Sequence, residues 1–483
     1  MLTKADLLAE NRAIYLPAIS ANYADFARNG AFKRKVGGLI PADLDFLDPS
    51  NRYLAYPFAL YSAGQVIRTP NKLPKACMVA QRDRNETIVL GDSGGFQVSR
   101  GTIEFEKDTT ARRMLKWMEG VADWSMVMDF PTGGIGPGFM KPHVERLIAE
   151  GHDLKAMSKA NGQSLDFNAC LLQTQINNDQ FVAERTAGAT GLLNVLQGRN
   201  EAESKTWYDA VKHYPFEGVA FAGAHQNHFS LLLRRLYDLH IDGLLHKCGW
   251  VHVLGVSTLD VGCLLTKVQR CVRQYWGYEN FQISFDSASP FINAANNGMI
   301  IGQTLDAYGW TIRTAGIATV AEADLNRTVG DFCASKLNRK TDHLGRHMVA
   351  ASTATGDGIT MGDLCVGKAK IAGQRDRSGL DTDSSYLLMH HNVQAFVAAH
   401  AKAHDVFFGA EQWRIPIDTL SIAGVIDVMF RGEPISSAEG GMEYVPVHDP
   451  IAHIGKCELW LDRLAAQRTR PSTRTGEAIM TAA

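Results

Sequence analysis

The sequence predicts an α/β fold, a closed (β/α)8 TIM barrel, on two observations. Short apolar strands alternate with segments of helical spacing, and each strand ends in a polar or small residue. Thr87-Ile88-Val89-Leu90 leads to Asp92, Ser125-Met126-Val127-Met128 to Asp129, and Leu192-Leu193-Asn194-Val195-Leu196 to Gln197-Gly198. Gly218-Val219-Ala220-Phe221 leads to Ala222-Gly223, Val251-His252-Val253-Leu254 to Gly255, and Phe281-Gln282-Ile283-Ser284-Phe285 to Asp286. Between them, Met114, Leu115, Met118 and Val121 recur at helical spacing, as do Leu231, Leu232, Arg235 and Leu236. Alternation of this kind implies a parallel sheet. Functional residues at every strand's C-terminal end favour a barrel with its site at that face, over an open doubly wound sheet.

The first strand delivers the most informative stretch, Asp92-Ser93-Gly94-Gly95-Phe96-Gln97. Two glycines allow a tight turn and close approach of a flat ligand, Phe96 offers a ring to stack on, and Asp92 adds a carboxylate. Alone, the hexapeptide reads equally as a turn after a strand. Asp129, before Phe-Pro-Thr-Gly-Gly, and Asp286, in Phe-Asp-Ser-Ala-Ser-Pro, read alone as loop or cap residues, and Leu254 as a core leucine.

The ordered set has a likeness. Asp-Ser-Gly-Gly-Phe-Gln, a strand ending in Asp, Leu-Gln-Gly, Gly-Val-Ala-Phe-Ala-Gly, Leu-Gly-Val and then Phe-Asp before Pro290 resembles the tRNA-guanine transglycosylase superfamily. The resemblance runs over roughly residues 85 to 300, with an echo near 384 to 395. It implies a TIM barrel that exchanges guanine in a polynucleotide for a 7-deazaguanine base such as 7-cyano-7-deazaguanine, without breaking the chain. It also implies roles. Asp286 is the nucleophile that holds the sugar, and Asp92 is the carboxylate that moves the proton between bases. Asp129 accepts from the N1 and amine edge of the base. Gln197, the backbone N–H of Gly198 or Gly223, and Ser93 supply further polar contacts, with Phe96 and Leu254 on the two faces of the ring.

Composition is compatible with this reading. At 483 residues the chain exceeds an ordinary barrel, leaving room for a subdomain, and its net charge of −2 requires a polynucleotide enzyme to concentrate its cations. Candidates are Lys33-Arg34-Lys35, the helical set Lys267, Arg270 and Arg273, and segment 331 to 380, with eight Lys or Arg against five Asp. Residues 1–298 and 384–467 are assigned to the barrel and its C-terminal helices, 299–383 to an insertion between the last strand and the last helix, and 468–483 to a disordered basic tail. Eight scattered cysteines and the absence of a signal peptide or membrane-length apolar run point to the cytoplasm, the host's for a phage-encoded chain.

The family resemblance also implies a structural zinc, held by a tight cysteine cluster and a later histidine. His391, in Leu387-Leu388-Met389-His390-His391-Asn392, matches that histidine and Cys365 precedes it, but positions 360 and 362 are Thr and Gly. Cys333 with His343 or His347 is the substitute set, and buried structural cysteine with surface histidine is the competing explanation. Because 299–383 departs most from the tRNA enzymes, the chain is read as the branch that modifies DNA, found in phages and bacterial genomic islands. A tRNA enzyme is the close alternative, and a non-catalytic nucleic-acid-binding subunit the alternative of another class. Oligomeric state is not legible in the sequence.

Overall fold

Strands buried on both faces need aliphatic residues at successive positions, and the apolar runs supply them: Val89, Leu90, Leu192, Leu193, Val195 and Leu196 are all buried. In the computed structural model eight such strands form a closed, all-parallel barrel. They are β1 (Ile14–Ile19), β2 (Phe58–Ser62), β3 (Ile88–Asp92), β4 (Trp124–Met126), β5 (Gly191–Leu196), β6 (Gly218–Phe221), β7 (Trp250–Val253) and β8 (Ile283–Ser287). The (β/α)8 expectation holds. The structure describes residues 3–66, 76–99, 103, 105, 106, 108–132, 149, 166–226, 228–317, 320–338, 348–365, 380–436 and 442–464. The expectations for His343, His347 and the tail 468–483 lie outside these, as do the side chains of Phe96 and Cys365.

Two of the eight strands, β1 and β2, precede the six read from the sequence. Closure depends on them: β2 pairs with β3, setting Ser62 opposite Asp92, β1 pairs with β2, and β1 closes the barrel on β8, setting Leu16 opposite Asp286. At the foot of the barrel Trp124 and Trp250 stack with ring centroids 5.8 Å apart. Glycine at 191 and 249 makes room for the indole of Trp124, since a Cβ there would come within 2.4 Å and 2.9 Å of it. One pleat above Trp250, His252 lies level with Ser284, and Asp286 lies one pleat above Ser284.

The helix Asp108–Val121 buries Met114, Leu115, Met118 and Val121, and Phe229–Ile241 buries Leu231, Leu232, Arg235 and Leu236. Arg235 is tolerated inside because Glu201 and Asp238 pair with it. Beyond β8 the chain forms an antiparallel sheet of β9 (Gly298–Asp306), β10 (Gly309–Gly316) and β11 (Met348–Ala350), in the order β10-β9-β11, with the helices Val329–Asn338, Ala354–Gly358 and Met361–Cys365. It returns through the long helix Thr382–Phe408, whose first turn is capped by Asp381, accepting from the Ser384 N–H at 2.7 Å. That helix joins the sheet to the barrel. Asn392 Oδ1 accepts from the Ile300 N–H at 2.8 Å, while the rings of Phe396 and His400 lie 4.9 Å and 5.2 Å from that of Tyr15. Among the described residues no helix is long and apolar enough to cross a membrane.

Candidate active site at the C-terminal mouth of the barrel

Asp92 is the last residue of β3 and Asp286 lies near the end of β8, while Asp129 follows β4 and Gln197 follows β5. All four therefore come to the C-terminal face, where a barrel's functional side chains converge. The carboxylates sense one another: the charge of Asp286 raises the pKa of Asp92, and that of Asp92 raises the pKa of Asp129. For both, burial is the larger cause. It lifts Asp129 to about 7, and lifts Asp92 against the opposing hydrogen bonds of Ser62 and the Gly94 N–H.

The glycine pair has distinct uses. Gly94 has φ +79, and a Cβ on it would lie 2.7 Å from the Cα of Gly64 in the neighbouring loop. At Gly95 a Cβ would stand 2.8 Å from the Asp129 carbonyl oxygen and 3.1 Å from Asp129 Oδ1. A larger residue at 95 would press on Asp129. Beside the pair, Ser93 Oγ and Gln97 Oε1 are buried and have no hydrogen-bond partner among the described residues. A buried polar group in that state costs stability unless something else binds it.

Gln197 differs from expectation. Its amide donates to Asp129 Oδ2 at 2.6 Å and to the Phe130 carbonyl at 2.9 Å, while its oxygen accepts from the N–H and hydroxyl of Thr132 at 2.9 and 3.1 Å. With both amide hydrogens engaged, Gln197 orients Asp129 instead of offering donors to a base. Gly198 is buried and Gly223 exposed, each with positive φ, so the backbone turns sharply after β5 and β6. Leu254 is partly buried, in the turn after β7 and packed against the core.

Asp286 is held by groups the sequence reading passed over. Oδ1 accepts from the Gly255 N–H at 2.8 Å and lies 3.2 Å from His252 Nε2. His252 is fully buried, and its Nδ1 is 2.9 Å from Ser284 Oγ, which accepts from the Trp250 indole N–H at 2.6 Å. Ser62, the partner of Asp92, was likewise missed. The available signal was a histidine within an otherwise apolar strand, an arrangement that asks for a polar partner.

Of the expected zinc ligands, His391 and Cys333 are the two whose side chains are described. His391 Nε2 donates to the Ile300 carbonyl at 2.9 Å, and its Nδ1 accepts from the Thr353 hydroxyl at 2.8 Å, which itself receives the Gly356 N–H at 2.8 Å. Cys333 Sγ approaches the same Ile300 oxygen at 4.0 Å. Among the described residues no three His, Cys, Asp or Glu side chains come together as a metal site. His391 is fully buried and hydrogen-bonded at both nitrogens, so it does not present a free ligand atom. Among the described residues His391 and Cys333 do not make a tetrahedral zinc site, and no step below runs through one.

The cationic helix also needs correction. Lys267 pairs with Asp427 at 2.6 Å, Arg270 donates to the Asn11 carbonyl at 3.1 Å, and Arg273 donates to the Phe281 carbonyl at 2.7 Å. Asn11 and Phe281 precede β1 and β8, so Arg270 and Arg273 sit at the foot of the barrel, opposite the carboxylates. The reason is topological: a helix following a strand begins at the mouth and runs back to the foot. By contrast, Lys33 and Lys35 are exposed, beside an Arg34 that pairs with Asp381 at 3.3 Å at the start of Thr382–Phe408. Comparison with known proteins found no family model and no curated protein that matches the chain.

Proposed function

We propose that the protein is a transglycosylase that replaces guanine in DNA with a 7-deazaguanine base through a covalent link between Asp286 and the sugar. One observation carries the reading: three carboxylates, Asp92, Asp129 and Asp286, on strand ends of one barrel mouth, two of them with raised pKa. Each is suited to a different task. Asp286, with Oδ1 fixed by the Gly255 N–H, keeps Oδ2 for attack on the anomeric carbon. Asp92, biased toward its acid form by burial, supplies a proton to the departing guanine as the bond from C1′ to N9 breaks and its electron pair leaves with the base. The incoming base then returns its N9 proton to Asp92 and attacks C1′, and the sugar–Asp286 bond breaks with its pair returning to Asp286. Protons and electrons balance without a cofactor.

Asp129, held by Gln197 and left reachable by Gly95, is placed to accept from the N1–H and amine of a guanine edge, and Ser93 and Gln97 offer unused hydrogen-bonding atoms nearby in the chain. A subunit that only bound nucleic acid would need neither Asp92 nor Asp286. The choice of DNA rests on the divergence of 299–383. The test is to incubate the protein with labelled guanine and either DNA or tRNA: label entering DNA supports the proposal, label entering tRNA alone restores the tRNA enzyme, and label in neither refutes exchange.

A further inference from the structure

We infer that His252 is a positioning residue that stabilises Asp286 as a leaving group, so that it governs breakdown of the covalent intermediate more than its formation. The inference rests on the transglycosylase reading. Its basis is the hydrogen-bond chain from Trp250 through Ser284 and His252 to Asp286, at 2.6, 2.9 and 3.2 Å, with the two middle members fully buried.

The chain has a direction. An indole N–H only donates, so Ser284 Oγ accepts from Trp250 and has its own hydrogen to give to Nδ1 of His252. The imidazole hydrogen then sits on Nε2, facing Oδ1 of Asp286. The opposite tautomer would turn a bare nitrogen lone pair toward an ionised carboxylate, so an anionic Asp286 selects the donor form. With the Gly255 N–H on the same atom, Oδ1 receives two donors and Oδ2 is left for the sugar.

The kinetic consequence follows from where charge resides. Before attack Asp286 is an anion, and in the ester Oδ1 is a neutral carbonyl oxygen. A hydrogen bond to Oδ1 is stronger to the anion, so it slightly opposes attack and assists departure, when the C1′–Oδ2 bond breaks and its electron pair returns to Asp286. A purely structural histidine would not divide its effect in this way.

The test compares wild type with His252→Phe, which keeps a planar ring but removes the donor, and His252→Gln, which restores an N–H near the position of Nε2. Denatured-gel quantification of the protein–DNA adduct is run beside steady-state exchange of labelled guanine, on protein shown folded by circular dichroism. Expected for His252→Phe is adduct breakdown slowed about 10–100-fold, the range of one hydrogen bond to a charged group. Adduct should accumulate at steady state, the rate of its formation should not fall, and His252→Gln should recover much of the breakdown rate. If His252→Phe is folded and breaks down its adduct at the wild-type rate, or if formation and breakdown slow equally, the inference is overturned while the transglycosylase reading stands. If His252→Phe does not fold, His252→Met, which also lacks a donor, is measured in its place: breakdown slowed more than formation supports the role, and wild-type breakdown or equal slowing of both steps overturns it. A wild-type protein that neither exchanges guanine nor forms adduct refutes the underlying reading and the inference with it.

Discussion

The mouth of the barrel and the His391 node both bury polar side chains, and they differ in whether those side chains are satisfied. At the node every hydrogen-bonding atom of the imidazole is used: Ile300 takes one hydrogen and Thr353 supplies another. At the mouth, Ser93 Oγ and Gln97 Oε1 have no partner among the described residues, and Asp92 and Asp129 are held near one another's charge. A closed network stabilises a fold, whereas unmet capacity and mutual repulsion cost stability that a ligand can restore. The comparison teaches that a histidine matching a motif is a weaker guide to function than the state of its two nitrogens.

If the contrast is sound, substitutions at the mouth remove activity and spare the fold, and substitutions at the node do the reverse. The largest effect is expected for Asp286→Ala: exchange falls to background while the protein still folds, with a thermal midpoint lowered only by the loss of an acceptor for the Gly255 N–H and His252. Wild-type-like exchange by this variant removes Asp286 as nucleophile. Next, Asp92→Asn should lower exchange by about 10²–10⁴-fold, the usual contribution of a placed proton carrier. A loss below tenfold would assign the proton to another group.

A smaller effect comes from pH. Asp129 must be ionised to accept two hydrogens from a guanine edge, and its pKa is raised to about 7. Guanine affinity should therefore weaken about tenfold per pH unit as pH falls below about 7, and level off above it. Competition binding of guanine across pH measures this, and the slope should vanish in Asp129→Asn. A slope that persists in the variant would place the titration elsewhere. The sign for stability is opposite: the folded state holds a proton on Asp129 that the unfolded chain releases near pH 4, so this group favours folding at low pH and loses that contribution as pH rises toward 7.

The smallest effect on activity and the clearest on stability is expected at the node. His391→Ala leaves the Thr353 hydroxyl and the Ile300 carbonyl without their partner, at about 1–3 kcal/mol for each unsatisfied group. Exchange by the protein that remains folded should be near normal, and a chelator should leave the thermal midpoint of wild type unchanged. A zinc content near one per chain, lost in this variant, would overturn the hydrogen-bonded description of the node.

Six strands were legible because each combines an apolar run with a distinctive residue at its end. β1 was not, since Pro17 interrupts Ile14–Ile19 and its partner β8 lies some 270 positions away, a closure no local pattern records. The same divide runs through the site. Asp92, Asp129 and Asp286 announce themselves at strand ends, while Ser62 and His252 acquire meaning only when the pairing of β2 with β3 and of β7 with β8 sets them beside Asp92 and Asp286. Lys267, Arg270 and Arg273 share a helical face in the sequence, but the direction in which that helix runs takes Arg270 and Arg273 to the foot of the barrel.

The covalent intermediate is the claim on which the rest depends, and mapping it is the most direct test. The protein is incubated with guanine-containing DNA, quenched under denaturing conditions, digested and examined by mass spectrometry. The account expects a deoxyribose-linked peptide containing Asp286, absent from Asp286→Ala. A link at another carboxylate, or exchange that proceeds with no linked peptide at all, would contradict it.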